Sequence, residues 1–223
     1  MDLGTWAQWA GAAATSTGII VALFRDSIYG KFHHPDLQLR LAAVSPFCVK
    51  TPFSNSSRYF VRLWVVNKGN VRAEKVEVFM STAYSVDEND QDQIIPSFAP
   101  TNLRWSYSDL HQPTIVIDGL SPDMGRYCDL LTIADPNLND FNPRPEDVGV
   151  VRLAIQTDIL SPPRDFFRQG KYRFWISIAA ANRRPVRYRI NFHLTGRWSD
   201  DEKVMFAHGF TIDYKQVQRL PLY

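Results

Sequence analysis

Two cysteines in 223 residues cannot by themselves build a disulfide-dense framework or a zinc cage. Glycine is sparse too: eleven residues, scattered along the chain, with no cluster of the kind that cradles phosphate. None of G-x-S-x-G, H-E-x-x-H, C-x-x-C, the Walker A pattern or G-x-G-x-x-G occurs. The five histidines (His33, His34, His111, His193, His208) show no metal-ligand spacing. The run from Asp87 to Asp92 has alternating carboxylates but lacks the glycine and terminal glutamate of a calcium loop. The chain therefore reads as a non-enzyme that needs no cofactor or metal. Excess charge of one sign is missing as well. A formal net charge of +2 gives no bulk affinity for nucleic acid, and no helix-turn-helix pattern supports sequence-specific binding. Electrostatic function must come from local patches.

Charge is absent altogether from residues 6–24, WAQWAGAAATSTGIIVALF. Nineteen helical residues would span roughly 28 Å, close to a bilayer's hydrocarbon thickness. Aromatic residues lie at both ends, and Arg25 and Lys31 follow where no lysine or arginine precedes. This predicts a single-pass transmembrane helix, its N-terminus outside and the body cytoplasmic. A cleaved leader would need a basic leading region, which is missing. Few side chains in the run are strongly apolar, so a packed partner helix would aid insertion. Ala10, Ala14, Gly18 and Ala22 recur every four residues, the spacing that lets helix backbones approach closely.

After Pro35 the apolar period changes to two. Strands are expected over residues 37–44, across the sequence SSRYFVRLWVV, and from the Asn67-Lys68-Gly69-Asn70 turn to about Met80. Further strands are expected at 103–107, 114–117, 127–133, 150–157, 172–181, 186–194 and 210–214, with ANRRPV as a hairpin turn. The chain divides into an anchor over 1–34 and a β-sandwich over 35–223. The fold class is mainly β: an antiparallel immunoglobulin-like β-sandwich preceded by one transmembrane α-helix.

The order strand, N-x-G turn, alanine, V-x-V strand resembles the immunoglobulin-like adhesion-type domains of bacterial proteins. More narrowly, the layout is similar to a set of uncharacterised bacterial single-pass membrane proteins. That resemblance rests on GIIVALFRD at 18–26, the later HPDL, Ala181-Asn182-Arg183-Arg184-Pro185, and TGRWSDDE at 195–202. It implies no activity. Cys48, Trp64 and Cys128 follow the immunoglobulin order, but Tyr127 adjoins Cys128, whereas the tyrosine corner needs a separation of two. Adjacent strand residues face opposite ways, so two free thiols are expected.

Charge is unevenly distributed. From Arg164 to Arg197 there are nine basic residues against one acid, and from Ser85 to Asp147 twelve acids against three arginines. Arg183, Arg184, Arg187 and Arg189 are the candidate contacts, with Arg187 and Arg189 on one strand face. They could pair with the acidic loops of the same domain, face anionic lipid headgroups, or meet an acidic surface of another chain. The expected function is a membrane-anchored binding or scaffolding protein, an accessory subunit whose partners are other membrane chains or itself. The alternative is a self-oligomerising membrane effector that senses an anionic, nucleotide-like ligand through basic, aromatic-interleaved strands.

Overall fold

The computed structural model describes residues 9–11, 13–16, 33–53, 56–95, 98–108, 112–136, 149–156 and 167–217. The chain divides into two units, Met1–His34 and Pro35–Tyr223. In the first, helix is described at residues 9–11 and 13–16, where the Thr15 hydroxyl donates to the Gly11 carbonyl at 2.9 Å. Among the described residues no helix is long and apolar enough to cross a membrane. This corrects the expected transmembrane helix, and with it the single-pass placement that put the N-terminus outside and the β domain in the cytoplasm. The physical reason lies in composition. Alanine, glycine, serine and threonine supply little of the transfer energy that insertion requires. The rest of the 6–24 run lies outside the described residues.

The second unit is mainly β. In chain order its strands are β1 (Leu37–Arg40), β2 (Cys48–Phe53), β3 (Ser56–Asn67), β4 (Ala73–Val86), β5 (Asp92–Ile94), β6 (Thr101–Asn102), β7 (Val116–Leu120), β8 (Gly125–Ala134), β9 (Arg152–Ile155), β10 (Gly170–Ala180), β11 (Arg183–Leu194) and β12 (Phe210–Val217). They form two antiparallel sheets, a β-sandwich consistent with an immunoglobulin-like fold. The first sheet runs β1-β3-β8-β9, with β2 beside β1 on the same edge of β3. The second runs β12-β11-β10-β4, and β5, β6 and β7 line the far edge of β4 end to end.

Period-two alternation decides which side chains meet between the sheets. Tyr59, Val61, Leu63 and Val65 on β3 are buried, as are Val76, Val78 and Met80 on β4. On β10 and β11 the buried set is Tyr172, Phe174, Ile176, Ile178, then Tyr188, Ile190, Phe192 and Leu194. The turn between β3 and β4 is organised by the buried Asn67. Its Oδ1 accepts from the Asp36 and Gly69 backbone N–H groups, both at 3.0 Å, and its Nδ2 donates to Val71 and Leu120 carbonyls at 2.7 and 2.9 Å. A side chain thus stands in for a further layer of backbone bonding.

Two connections tie the sheets together. The segment after β6 leaves the second sheet, where the Leu103 N–H donates to Val78 O at 2.8 Å, and joins the first sheet through a bridge between Trp105 and Cys128. Trp105 is fully buried and its indole N–H donates to Ile115 O at 3.1 Å. The other is the long hairpin connection between β11 and β12, which returns to the same sheet but packs against β3 of the first. It carries a short helix, Glu202–Val204, capped by Asp201, and a π-helical turn, Met205–Gly209. Trp198 and Phe206 pack on Tyr59 at centroid distances of 5.2 and 5.8 Å, and the Tyr59 hydroxyl donates to Ser199 O at 2.9 Å. Burial, with the carboxylates of Glu202, Asp200 and Asp201 adding to it, pushes the Tyr59 phenol up to about 12. Asp200 also pairs with Lys50 at 2.8 Å and accepts from the Ser57 hydroxyl at 3.1 Å.

Cys48 and Cys128 are free and buried. They lie in one sheet on opposite sides of β3, opposite Val61 and Leu63. Two strand spacings, about 9.5 Å, exceed the Cα separation that a disulfide tolerates. Burial pushes the Cys48 thiol up to about 12 and raises that of Cys128 as well.

Two outcomes follow. A thiol reagent at pH 8 should leave Cys48 and Cys128 unmodified in the native protein and label both in denaturant; native labelling of Cys128 would contradict this packing. The Lys50 and Ser57 hydrogen bonds hold the Asp200 carboxyl below its usual value. Its contribution is present above the unfolded aspartate value of about 3.9 and is lost as pH falls from there through the lowered folded value. Asp200→Asn should lower stability at pH 7, where that contribution is present, and flatten the acid limb in urea titrations, so that the two proteins converge below the lowered folded value.

Candidate binding face

The alternation that buries one side of β10 and β11 turns the other outwards. Along β10 this outer row is Lys171, Arg173, Trp175 and Ser177; along β11 it is Arg187, Arg189, Asn191 and His193. Register then sets the neighbours across the sheet. Lys215 stands opposite Arg189, Arg189 opposite Trp175, and Trp175 opposite Thr82. The row on one side reads Asp213, Asn191, Arg173, Tyr84; on the other, Val217, Arg187, Ser177, Phe79.

These rows differ in charge balance. Asn191 Nδ2 donates to Asp213 Oδ1 at 2.7 Å, Arg173 Nε donates to Asn191 Oδ1 at 3.2 Å, and the Arg173 guanidinium pairs with Asp90 at 3.0 Å and with Asp92. That row is compensated throughout. Pairing within the domain, one of the expected fates of the basic segment, is therefore realised at Arg173. The loop that supplies its acids is held by Asp87, whose Oδ1 accepts from the Asn89 and Gln91 backbone N–H groups at 2.9 Å each. These bonds, that from Gln91 foremost, hold the Asp87 carboxyl below its usual value.

The next rows have no such acids. Among the described residues no ion pair engages Arg183, Arg184, Arg187, Arg189 or Lys215. Arg187 and Arg189 are two residues apart, about 7 Å along the strand. Arg189 also faces Lys215 directly across the ladder, an arrangement of like charges that destabilises a sheet. The Arg189 Nε is buried without a hydrogen-bond partner. Across the ladder from Arg189 lies the half-buried ring of Trp175, and one strand further, on β4, lie the half-buried rings of Phe79 and Tyr84. The face can take up negative charge and offers flat apolar surface next to it.

The expected ANRRPV turn is shorter than the sequence suggests. Ala181 and Asn182 form the turn, and Arg183 and Arg184 already belong to β11, exposed at the hairpin tip. The Asn182 side chain fixes that tip, donating to Arg72 O at 2.9 Å and accepting from the Glu74 N–H at 3.1 Å. Pro185 falls where the β10–β11 register shifts, a position that does not require its missing N–H. Of the helix-packing set, Ala10 and Ala14 are exposed, while Gly18 and Ala22 lie outside the described residues. His193 is on the outer face and His208 in the π-helical turn. Periodicity brings out Arg187 and Arg189, whereas Lys215 and Trp175 become neighbours of Arg189 only through strand register.

The outer face of the first sheet has its own arginine, with a different environment. Arg62 is 5% exposed; it donates to the Tyr107 hydroxyl at 2.8 Å and to Pro46 O, and lies 4.5 Å from the Tyr127 ring centroid. Its guanidinium is buried and hydrogen-bonded to neutral oxygens within the domain, which distinguishes it from the exposed Arg187.

Comparison of the chain with protein-family models, with curated proteins and with solved structures finds no match. Nothing there supports the resemblance to bacterial single-pass proteins.

The two faces of the second sheet should separate on mutation. Ile178→Ala should cost about 2–5 kcal/mol of stability, because it opens a cavity at a fully buried position. Arg187→Ala should stay within about 0.5 kcal/mol or stabilise slightly, since it removes an unpaired cation. Urea denaturation of the two variants checks this; equal losses would contradict the assignment of faces.

Proposed function

We propose that this chain is a non-catalytic binding module that docks an acidic surface of another protein on the outer face of its second sheet, as an accessory or scaffolding subunit does. The observation that carries this reading is the contrast between adjacent rows. Arg173 is neutralised by Asp90 and Asp92, while Arg187 and Arg189 are left without a counter-charge among the described residues. Arginine suits this role because its planar fork grips carboxylates in pairs and is weakly hydrated. The sheet holds both guanidinium groups on rigid backbone, so little ordering entropy is lost on docking. Arg183 and Arg184 at the hairpin tip extend the same charge and would steer encounter more than they add affinity.

A second reading is favoured by one detail. Trp175 stands directly opposite Arg189 on the outer face, which would let an aromatic ring stack while its phosphates meet the arginines. A nucleotide-like ligand is the small-molecule form of the same anion recognition.

Fluorescence anisotropy separates the two. A labelled Asp/Glu-rich peptide should bind the full chain at low salt, weaken steeply as salt is added, and lose at least about tenfold in affinity on the double reversal Arg187→Glu/Arg189→Glu. Trp175→Ala should leave that binding within about twofold. If labelled ATP binds instead, and both the reversal and Trp175→Ala abolish it, the nucleotide reading replaces the protein one. Peptide binding indifferent to the double reversal would overturn the face as the site.

A further inference from the structure

The edges of the two sheets are not treated alike. At β1 the Leu39 N–H is taken by the Tyr188 hydroxyl at 3.1 Å, and at β2 the Lys50 N–H is taken by Glu202 Oε1 at 3.0 Å. Beyond β9 a bridge joins Leu153 to Phe167, and β5 is only three residues long. The last strand of the second sheet, β12, has eight residues, pairs with β11 on one side, and has no strand on the other among the described residues. It contains no proline and keeps an unshifted register from end to end. Long, regular edges of this kind are templates for another strand, and proteins commonly blunt them with proline, bulges or covering loops.

Hydrogen-bond phase shows which groups β12 offers. Beyond Leu194–Phe210 the ladder continues with the Thr195 N–H donating to Gly209 O at 3.0 Å. Bonded and non-bonded pairs alternate in an antiparallel ladder. The pairs His193–Thr211, Asn191–Asp213, Arg189–Lys215 and Arg187–Val217 are therefore bonded, and the backbone groups of Ile212, Tyr214 and Gln216 point to the open side. Asp213 and Lys215 flank Tyr214 with their side chains on the outer face.

We propose that β12 pairs with β12 of a second copy of this chain, antiparallel, with Tyr214 opposite its own counterpart. In this register Ile212 pairs with Gln216 of the second copy and Tyr214 with Tyr214, and each such pair exchanges both backbone bonds through the groups that point outward. Asp213 then faces Lys215 of the second copy in a non-bonded pair, the closer of the two spacings, and the two-fold axis repeats that contact. Sliding either way to the adjacent symmetric register sets Asp213 against Asp213, or Lys215 against Lys215. Backbone phase allows each of these symmetric registers, and side-chain charge selects the one centred on Tyr214. The pairing makes one continuous sheet from two copies and places Arg187 and Arg189 of both on one face. It stands independently of what that face binds.

Sedimentation equilibrium of the full chain over about 1–100 µM tests the pairing. The expected result is a mass rising with concentration from 25.6 kDa towards twice that value. Asp213→Lys and Lys215→Asp, each alone, should raise the dimer dissociation constant at least about tenfold. The double swap Asp213→Lys/Lys215→Asp restores opposite charges and should return it to within about threefold of the original. Tyr214→Pro removes an N–H that points away from β11 and should leave a monomer with an unchanged β-type circular dichroism spectrum. A chain that stays monomeric throughout overturns the proposal. So does a dimer whose dissociation constant ignores both single swaps.

Discussion

The constraint on which the rest depends is the two-residue period of β10 and β11. Those strands give one side to a core of Tyr172, Phe174, Ile176, Ile178, Tyr188, Ile190, Phe192 and Leu194. The same backbone must then turn Arg173, Trp175, Arg187 and Arg189 to the opposite side. A slip of one residue would bury the guanidinium groups and expose the aromatic and aliphatic core, so packing energy fixes the face as firmly as it fixes the fold. The basic face is thus held in place by the core behind it.

Compensation of charge is selective. Lys50, Lys68 and Lys75 pair with Asp200, Asp123 and Asp118 around the rim of the domain, and Arg173 collects Asp90 and Asp92. Exposed pairs of this kind contribute at most about 1 kcal/mol each, so they do not account for the stability of the fold. They do show where the acids are already engaged. The Arg187 and Arg189 rows keep their positive charge, next to Trp175, at the cost of repulsion from Lys215. Repulsion retained on a rigid sheet is removed when an opposing surface arrives, which favours binding over structural roles for these residues.

Much of this was legible in the sequence because period-two patterns report burial directly. The strands around Leu63, Phe174 and Ile190 stand out for that reason. Other elements carry no such mark. All three residues of β5 are exposed, so nothing alternates, and β2 combines Lys50 and Pro52 in a short edge strand. The segment through Trp105 changes sheets within a few residues, which no single-strand pattern encodes. β4 runs to Val86, past the expected end near Met80, because a register shift at Trp175/Ile176 lets the strand continue beyond Ser81. The N-terminal reading failed for a related reason: absence of charge over residues 6–24 is a weaker signal than strong hydrophobicity, and alanine, glycine and threonine satisfy only the first. The charged face was half legible, since Arg187 and Arg189 follow from spacing, whereas Lys215 and Trp175 come from register.

The central claim is that Arg187 and Arg189 form the anion-accepting surface of this domain. Arginine Nε–Hε signals in an NMR spectrum of the labelled protein, followed as an Asp/Glu-rich peptide is added, test it most directly. The account predicts shifts concentrated at Arg187 and Arg189, with Arg62 unmoved because it is buried and Arg173 unmoved because Asp90 and Asp92 already pair with it. Shifts at Arg62 or Arg173 with none at Arg187 and Arg189 would contradict it.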